Sequence, residues 1–446
     1  MEHHVQSVDD ALIGGLSYKL KAGASYVTNR RSVSYFASGG NSYSSNGVKV
    51  IKFNLNGDQW LDPSTFRVMF QLNNTGNANL AEGATAKPLQ PLSWNPAVFF
   101  RRARLLCAGV VLEDIDDFNR LSLMITSLKS QDEQLSIAGE GFGNFDQIVD
   151  NIVSADDTRS SYRLQNFEQG GLIKTSRKAI FKPLFGLFEQ DKLIPLRYAP
   201  LVIELELVNT ASDALLSALS YSELWNITDT QCKCDLLTLD NSLDNEYASH
   251  LLSGKSLPIN FATWSHTNQS TGNDKNFSAN IHRALSRLKS IFITLNSADT
   301  ENYKTVNNFY HPMATTGGVT LNDDPYEIED EHSVQIQIGS KVVPEYPISS
   351  VTEAIYQLKE LVGSSTHIYG RWYRTHRYII GLDLEKISGA GFTGMSTKTG
   401  EQLTINFKDC DSSNAAITNS IPTRMFCALH YDCVLNIQDS GVQVLD

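Results

Sequence analysis

The sequence predicts an all-β protein built from two tandem copies of one β-sandwich, and three observations carry that prediction. Runs with alternating or β-branched apolar residues dominate the chain. Clusters of Gly, Asn, Ser and Pro such as "SGGNSYSSNG" at 38 to 47 separate them, and helical spacing is confined to two short segments. The order of strands and helix in the first half then returns in the second with a period of roughly 200 residues, far longer than the repeats of solenoids or propellers.

In the first half the strands are "VKVIKFNL" (48 to 55), "TFRVMFQL" (65 to 72), "RARLLCAGVVLE" (102 to 113) and "APLVIELELV" (199 to 208). A helix starting at Asp116 or Asp117 places Phe118, Leu121, Ile125 and Leu128 on one stripe, with an aspartate as N-cap. In the second half the strands are "RLKSIFITL" (287 to 295), "SVQIQIGSKVVPEY" (333 to 346), "RYIIGLDLE" (377 to 385), "EQLTINF" (401 to 407) and "MFCALHYDCVLNI" (425 to 437). Its helix has Ser350 and Glu353 at capping-box spacing, a stripe of Val351, Ile355, Leu358 and Val362, and Gly363 as its stop.

Four matches follow in order. "TFRVMFQL" pairs with "RLKSIFITL", and "RLLCAGVVLEDI" plus helix pairs with "VQIQIGSKVVPEY" plus helix. "PLRYAPLVIELELVN" (195 to 209) pairs with "HRYIIGLDLEKIS" (376 to 388), each opened by Arg-Tyr and each setting acids such as Glu204 and Glu206 on an outward face. Last, "CKCDLLTLDNS" (232 to 242) pairs with "HYDCVLNIQDS" (430 to 440). Eight or so strands per copy with one inserted helix fit a jelly roll better than a seven-stranded immunoglobulin sandwich. The expected fold is therefore two tandem eight-stranded jelly rolls, 1 to 242 and 243 to 446, joined by a linker at about 243 to 258.

Composition narrows the function. A chain of 446 residues exceeds one core, and 41% hydrophobic with 19% charged residues is the make-up of a folded protein. A net charge of -12 argues against coating nucleic acid through the overall field. No run of 18 apolar residues and no secretory pattern occurs, so the chain reads as soluble and made in the cytosol. The six cysteines lack a C-x-x-C pair and read as buried, reduced thiols.

The search for chemistry yields little. "GEGFGNF" (139 to 145) fails the G-x-G-x-x-G spacing and reads as a loop, and no Walker sequence is present. No H-x-H or H-E-x-x-H spacing gathers a metal, and His430, in an apolar strand, reads as a hydrogen-bonded core histidine. "EDIDD" (113 to 117) lacks the glycine and terminal glutamate of a calcium loop and suits a helix N-terminus. No nucleophile elbow appears. No catalytic, cofactor or metal residue is assigned.

"NSYSSNGVKVIKFNLNGDQWLDPSTFRVMFQL", "FFRRARLLCAGVVLEDIDDFNRL", "LIPLRYAPLVIELELVN" and "DNEYASHLLSGKSLPINF" resemble segments of the double jelly-roll major capsid proteins of double-stranded DNA viruses, in the form of Polinton-like viruses and adintoviruses. The resemblance spans nearly the whole chain. It implies a homotrimer of pseudo-hexagonal outline that tiles an icosahedral shell with penton and minor capsid or cement proteins. It also implies a place in the virion, assembly inside the host cell, only indirect contact with packaged DNA, and no catalysis. Two copies per chain and three chains give six similar units, which suits a site of nearly sixfold shape. The long connections at 73 to 92 and 296 to 333 become candidates for the outer surface, with Tyr303, Phe309, Tyr310, Asp323 and Asp324 among them. Arg101, Arg102 and Arg104, with Arg283 and Arg287, either face DNA or pair with acids across subunit contacts. Two other classes stay open: a bicupin-like or glycan-processing double-sandwich enzyme, and a lectin-like attachment protein.

Overall fold

The computed structural model describes residues 26 to 76, 89, 91, 95 to 142, 176 to 215, 222 to 272, 274 to 297, 309, 332 to 363, 373, 377 to 387, 391 to 398, 402 to 410 and 421 to 446. The strands of the first half are β1 (Val27–Phe36), β2 (Ser42–Tyr43), β3 (Val50–Leu55), β4 (Trp60–Asn74), β5 (Phe100–Cys107), β6 (Val110–Ile115), β7 (Ser176–Phe181), β8 (Ile194–Pro195), β9 (Leu201–Leu207) and β10 (Trp225–Leu239). They form antiparallel sheets in the orders β1-β10-β4-β7 and β3-β9-β5-β6, with the short β2 and β8 attached to β10 and β4.

The second half holds β11 (Leu257–Ser270), β12 (Phe277–Ile281), β13 (Leu288–Ser297), β14 (Ser333–Ile338), β15 (Lys341–Ile348), β16 (Ile380–Asp383), β17 (Leu403–Lys408), β18 (Pro422–Gln438) and β19 (Gly441–Leu445). Its sheets run β11-β18-β13-β16 and β12-β17-β14-β15, with β19 added beside β18. With the two-residue strands and β19 set aside, both halves follow one rule. The first, eighth, third and sixth strands make one sheet, and the second, seventh, fourth and fifth make the other. That order is the jelly roll, two Greek keys closed into facing sheets, so the fold is a double jelly roll.

Alternation explains the strands. In β9, Leu201, Ile203, Leu205 and Leu207 are buried while Val202, Glu204 and Glu206 are half-buried on the opposite face. Each fully buried side chain of this size contributes about 1.5–3 kcal/mol. Aromatic contacts fill the first core, with Phe70 edge-on to Phe100 at 5.6 Å and Phe100 stacked on Phe181 at 5.5 Å.

Among the described residues four α-helices join the strands: α1 (Phe118–Leu128), α2 (Gln131–Glu140), α3 (Asn241–Leu252) and α4 (Val351–Val362). The expected pair, α1 and α4, each follow the fifth strand of their roll. In α4 the Ser350 hydroxyl accepts from Glu353 N at 3.1 Å and Gly363, at φ 97°, ends the helix. The sequence reading missed α2, although Ser130 and Glu133 form a capping box. Across the stretch expected to link the rolls, α3 occupies 241 to 252 and β11 starts at Leu257. Asp240 caps α3 through Ser242 N at 3.1 Å, and Tyr247 packs 4.9 Å from Trp60 of the first sandwich.

Two of the four sequence matches need correction. The 195 to 209 and 376 to 388 segments are not equivalent, because β9 is the seventh strand of its roll and β16 the sixth of the other. The counterpart of β9 is β17. Nor does β16 turn one face to solvent: Ile380, Gly381 and Leu382 are all buried, since Leu358 and Leu361 of α4 cover its outer side at Gly381. The match of 232 to 242 with 430 to 440 joins true counterparts, β10 and β18, but slips by one residue. Cys232, Cys234 and Leu236 are buried in β10, and the buried residues at the same step in β18 are Tyr431, Cys433 and Leu435.

Candidate assembly surfaces

The two sandwiches meet where β6, the edge strand of one sheet, runs against β11, the edge of the other. Glu113 of β6 is 1% exposed there. Its carboxylate accepts the main-chain N–H groups of Gly186 (2.8 Å) and Leu187 (3.0 Å) and the hydroxyl hydrogen of Thr263 on β11. Burial raises its pKa to about 7, against the opposing pull of those three donors. Gly186 has to be a glycine, because a Cβ would stand 1.7 Å from the Ala262 carbonyl oxygen.

Asp117 was expected to cap α1 with its side chain. It takes the N-cap position in a left-handed conformation at φ 46° and makes no such bond. Its carboxylate turns to β11, accepting from Asn268 Nδ2 at 2.7 Å and standing 3.5 Å from His266 Nδ1. Arg120 of α1, 2% exposed, completes the joint. Its Nη2 donates to Thr294 Oγ1 (3.0 Å) and the Leu295 carbonyl (3.3 Å), and its guanidinium lies 4.0 Å over Phe426 and 4.8 Å over Phe309. Burial pushes its pKa down to about 9.

The basic residues of β5 lie on the outer face of the β3-β9-β5-β6 sheet, within a ladder of opposite charges. Arg102 grips Asp114 with two parallel bonds of 2.8 and 2.6 Å. Arg104 and Lys52 share Glu204 at 3.0 and 3.2 Å, and Arg101 stands 3.7 Å from both Asp116 and Glu206. In the second roll, Arg283 donates to the Tyr431 hydroxyl at 3.3 Å and lies 3.9 Å from Asp446. Arg287 stacks over Phe392 at 4.9 Å and donates to the Leu445 carbonyl at 3.4 Å. The two groups sit on different sandwiches and are not brought together.

Of the candidate outer-loop residues, Tyr303, Tyr310, Asp323 and Asp324 lie outside the described residues. Phe309 is a correction: it is fully buried, bridged to Arg377 and covered by the Arg120 guanidinium, so it offers no exposed aromatic surface on the subunit. All six cysteines are free and buried, and Cys107, for example, is pushed up to about 12 by burial. "GEGFGNF" was expected as a loop, but its Gly139 and Glu140 form the end of α2 with Gly141 as C-cap, and Phe142 is buried; 143 to 145 lie outside the described residues.

A cleft of about 230 Å³ opens at the joint, lined by Phe185, Gly186, Glu189, Gln190, Trp264 and His430 among others. It is smaller than common small-molecule sites. His430 stacks on Trp264 at 4.4 Å, and burial with the Lys289 charge lowers its pKa to about 3, so the ring is neutral. Among the described residues no group of three or more His, Cys, Asp or Glu is placed to hold a metal ion, and no helix is long and apolar enough to cross a membrane.

A duplicated jelly roll of this strand order, with its halves side by side, is the architecture of double jelly-roll capsid proteins. PBCV-1 VP54, in the form fitted into a reconstruction of the virophage Sputnik, superposes with a TM-score of 0.62 at 11% identity, over 96% of this chain and 100% of that one. The Faustovirus major capsid protein gives 0.57 at 9% identity, over 95% and 94% of the two chains. A quasi-atomic model of the PBCV-1 virus capsid gives 0.61 at 12% identity, over 96% and 100%. At these identities the likeness is one of fold. No protein-family model matches the chain, and no curated protein matches it.

Proposed function

We propose that the chain is a viral major capsid protein that forms homotrimers of pseudo-hexagonal outline, tiles an icosahedral shell around double-stranded DNA and resides in the virion. The observation that carries this reading is the identical strand order of the two halves. Three copies of such a chain present six near-equivalent sandwiches, which suits a site of nearly sixfold shape. The likeness to solved capsid proteins along 95–96% of the chain supports it. In this reading the rolls divide at 242 and 243, the molecule works through contacts rather than catalysis, and penton and minor capsid or cement proteins close the shell.

For Arg101, Arg102 and Arg104, contact between subunits is the better supported of the two roles; for Arg283 and Arg287 it is proposed by analogy with them. The carboxylates beside the β5 arginines leave little net positive potential for a phosphate backbone. The proposal is tested by light scattering with negative-stain imaging of the same fraction. A mass of three 49.5 kDa chains and a pseudo-hexagonal outline is expected. A monomer at high concentration overturns it.

A further inference from the structure

The joint inside the chain shows how one jelly roll covers the next, and its counterparts on the far sides are uncovered. In the joint, β6, the fifth strand of the first roll, meets β11, the first strand of the second. The corresponding strands left over are β15, the fifth of the second roll, and β1, the first of the first roll.

Residue equivalence follows from pairing. Val33 opposes Cys234 in the first roll, and Phe261 opposes the matching buried Cys433 in the second. Counting along from there, Tyr35 corresponds to Thr263, which donates to Glu113, and Phe36 corresponds to Trp264, which lines the cleft beside Phe185 and Gly186. Thr263 is fully buried and Trp264 half-buried by the neighbouring roll, whereas Phe36 is 68% exposed and most of β1 is open to solvent.

The strand on the other side, β15, is open as well. Glu113 lies two residues before Ile115, at the buried end of β6, and Tyr346 lies two before Ile348, at the buried end of β15. Ala103 opposes Ile115 and Val334 opposes Ile348, so the two strand ends correspond. Two residues further along, Leu105 opposes Glu113 whereas Ile336 opposes Val343, so the counterpart of Glu113 is Val343 and β15 carries extra residues, Tyr346 among them, in the irregularity before Ile348. Val343 is half-buried, and Tyr346, in the extra stretch, is 78% exposed. Val342 on the same strand, Tyr356 on α4, and Ile387 just past β16 are exposed as well. By contrast, every residue of α1 is at least half-buried. An open strand edge that carries large apolar side chains is a pairing hazard unless something covers it.

We infer that a second copy of this chain covers both edges: β1 with Phe36 of one subunit packs against β15 of the next, with Val342, Tyr346 and Ile387 around it. The contact between chains thereby repeats the contact within the chain. Such a head-to-tail contact generates a ring when its rotation closes. This assignment rests on the trimer proposed above and names its interface.

The test is cysteine cross-linking in the full chain, which is favoured by the burial of all six native thiols. Phe36→Cys is combined in turn with Val342→Cys, Tyr346→Cys and Ile387→Cys, and treated with a short bis-maleimide. At least one combination is expected to give dimers and trimers on a denaturing gel that the single variants do not give. Phe36→Asp, at an exposed site, is expected to keep the melting profile of the single chain and raise the concentration needed for trimers by roughly thirty-fold or more. Trimers by light scattering with no cross-link from any combination overturn the interface and leave the capsid reading standing. An unaltered protein that stays monomeric overturns the capsid reading itself.

Discussion

Thr263 of β11 donates its hydroxyl hydrogen to the Glu113 carboxylate of β6, so one fully buried acid ties the second sandwich to the first. Burying a carboxylate is costly, and Glu113 offsets that cost with the N–H groups of Gly186 and Leu187. The donors recover part of the lost hydration. Burial still dominates and lifts the pKa from 4.5 to about 7.

A pH dependence follows from that shift. An acid with a raised pKa holds its proton more tightly in the folded chain, so its contribution is fully present below its ordinary pKa of 4.5 and is lost as pH rises through about 7. The span corresponds to about 3 kcal/mol, since one pKa unit is about 1.4 kcal/mol. Glu113→Gln cannot ionise. Relative to that variant, the native protein should lose stability between pH 5 and pH 7.5, read as urea midpoints at both pH values. Parallel pH profiles for the two proteins would remove Glu113 from the titration.

The close approach at Gly186 gives a second prediction. A methyl group there meets backbone, the Ala262 carbonyl oxygen at 1.7 Å, and backbone cannot rotate away as a side chain can. Gly186→Ala should cost about 2–4 kcal/mol, at the upper end of overpacking and large single-site effects. Gly254→Ala is the control: nothing lies within 4 Å of its added Cβ, although φ is +80°. That change should cost only about 1–2 kcal/mol of backbone strain. Equal losses for the two variants, measured by denaturant unfolding, would mean that the joint yields to the added atom.

The strands were legible where a sheet has one wet face and one dry face, because alternation then records burial directly, as in Leu201–Leu207. Alternation misled where a helix supplies the second cover. "GLDLE" at 381 to 385 looks half-exposed, yet α4 packs on Gly381 and Glu385 turns inward to Lys289 at 3.4 Å. The joint was not legible at all. "EDIDD" reads as the capped start of a helix, and the burial of its first member depends on Thr263, 150 residues later. Asp117 misled for the same reason, since its partner Asn268 belongs to the other sandwich. The exposed aromatics of interest likewise moved from Phe309, which is buried, to Phe36 and Tyr346, whose exposure only topology gives meaning.

The β5 arginines carry the last prediction. Arg102 and Asp114 are each about one-third exposed, at 34% and 36%, and Arg101 meets its acids only at 3.7 Å. Partly solvated pairs of this kind are worth about 0–1 kcal/mol each, so Arg101→Ala with Arg102→Ala should lower stability by about 1–2 kcal/mol and leave the chain folded. Their removal exposes Asp114, Asp116 and Glu206 without counter-charge on one sheet face. Repulsion between such faces on neighbouring subunits should weaken capsomers most at low salt and less as salt screens it. Sedimentation at two salt concentrations, with DNA content per particle measured alongside, separates the two roles. Weaker capsomers that package the usual DNA support a contact role; intact capsomers that lose DNA would place these arginines on the lumen.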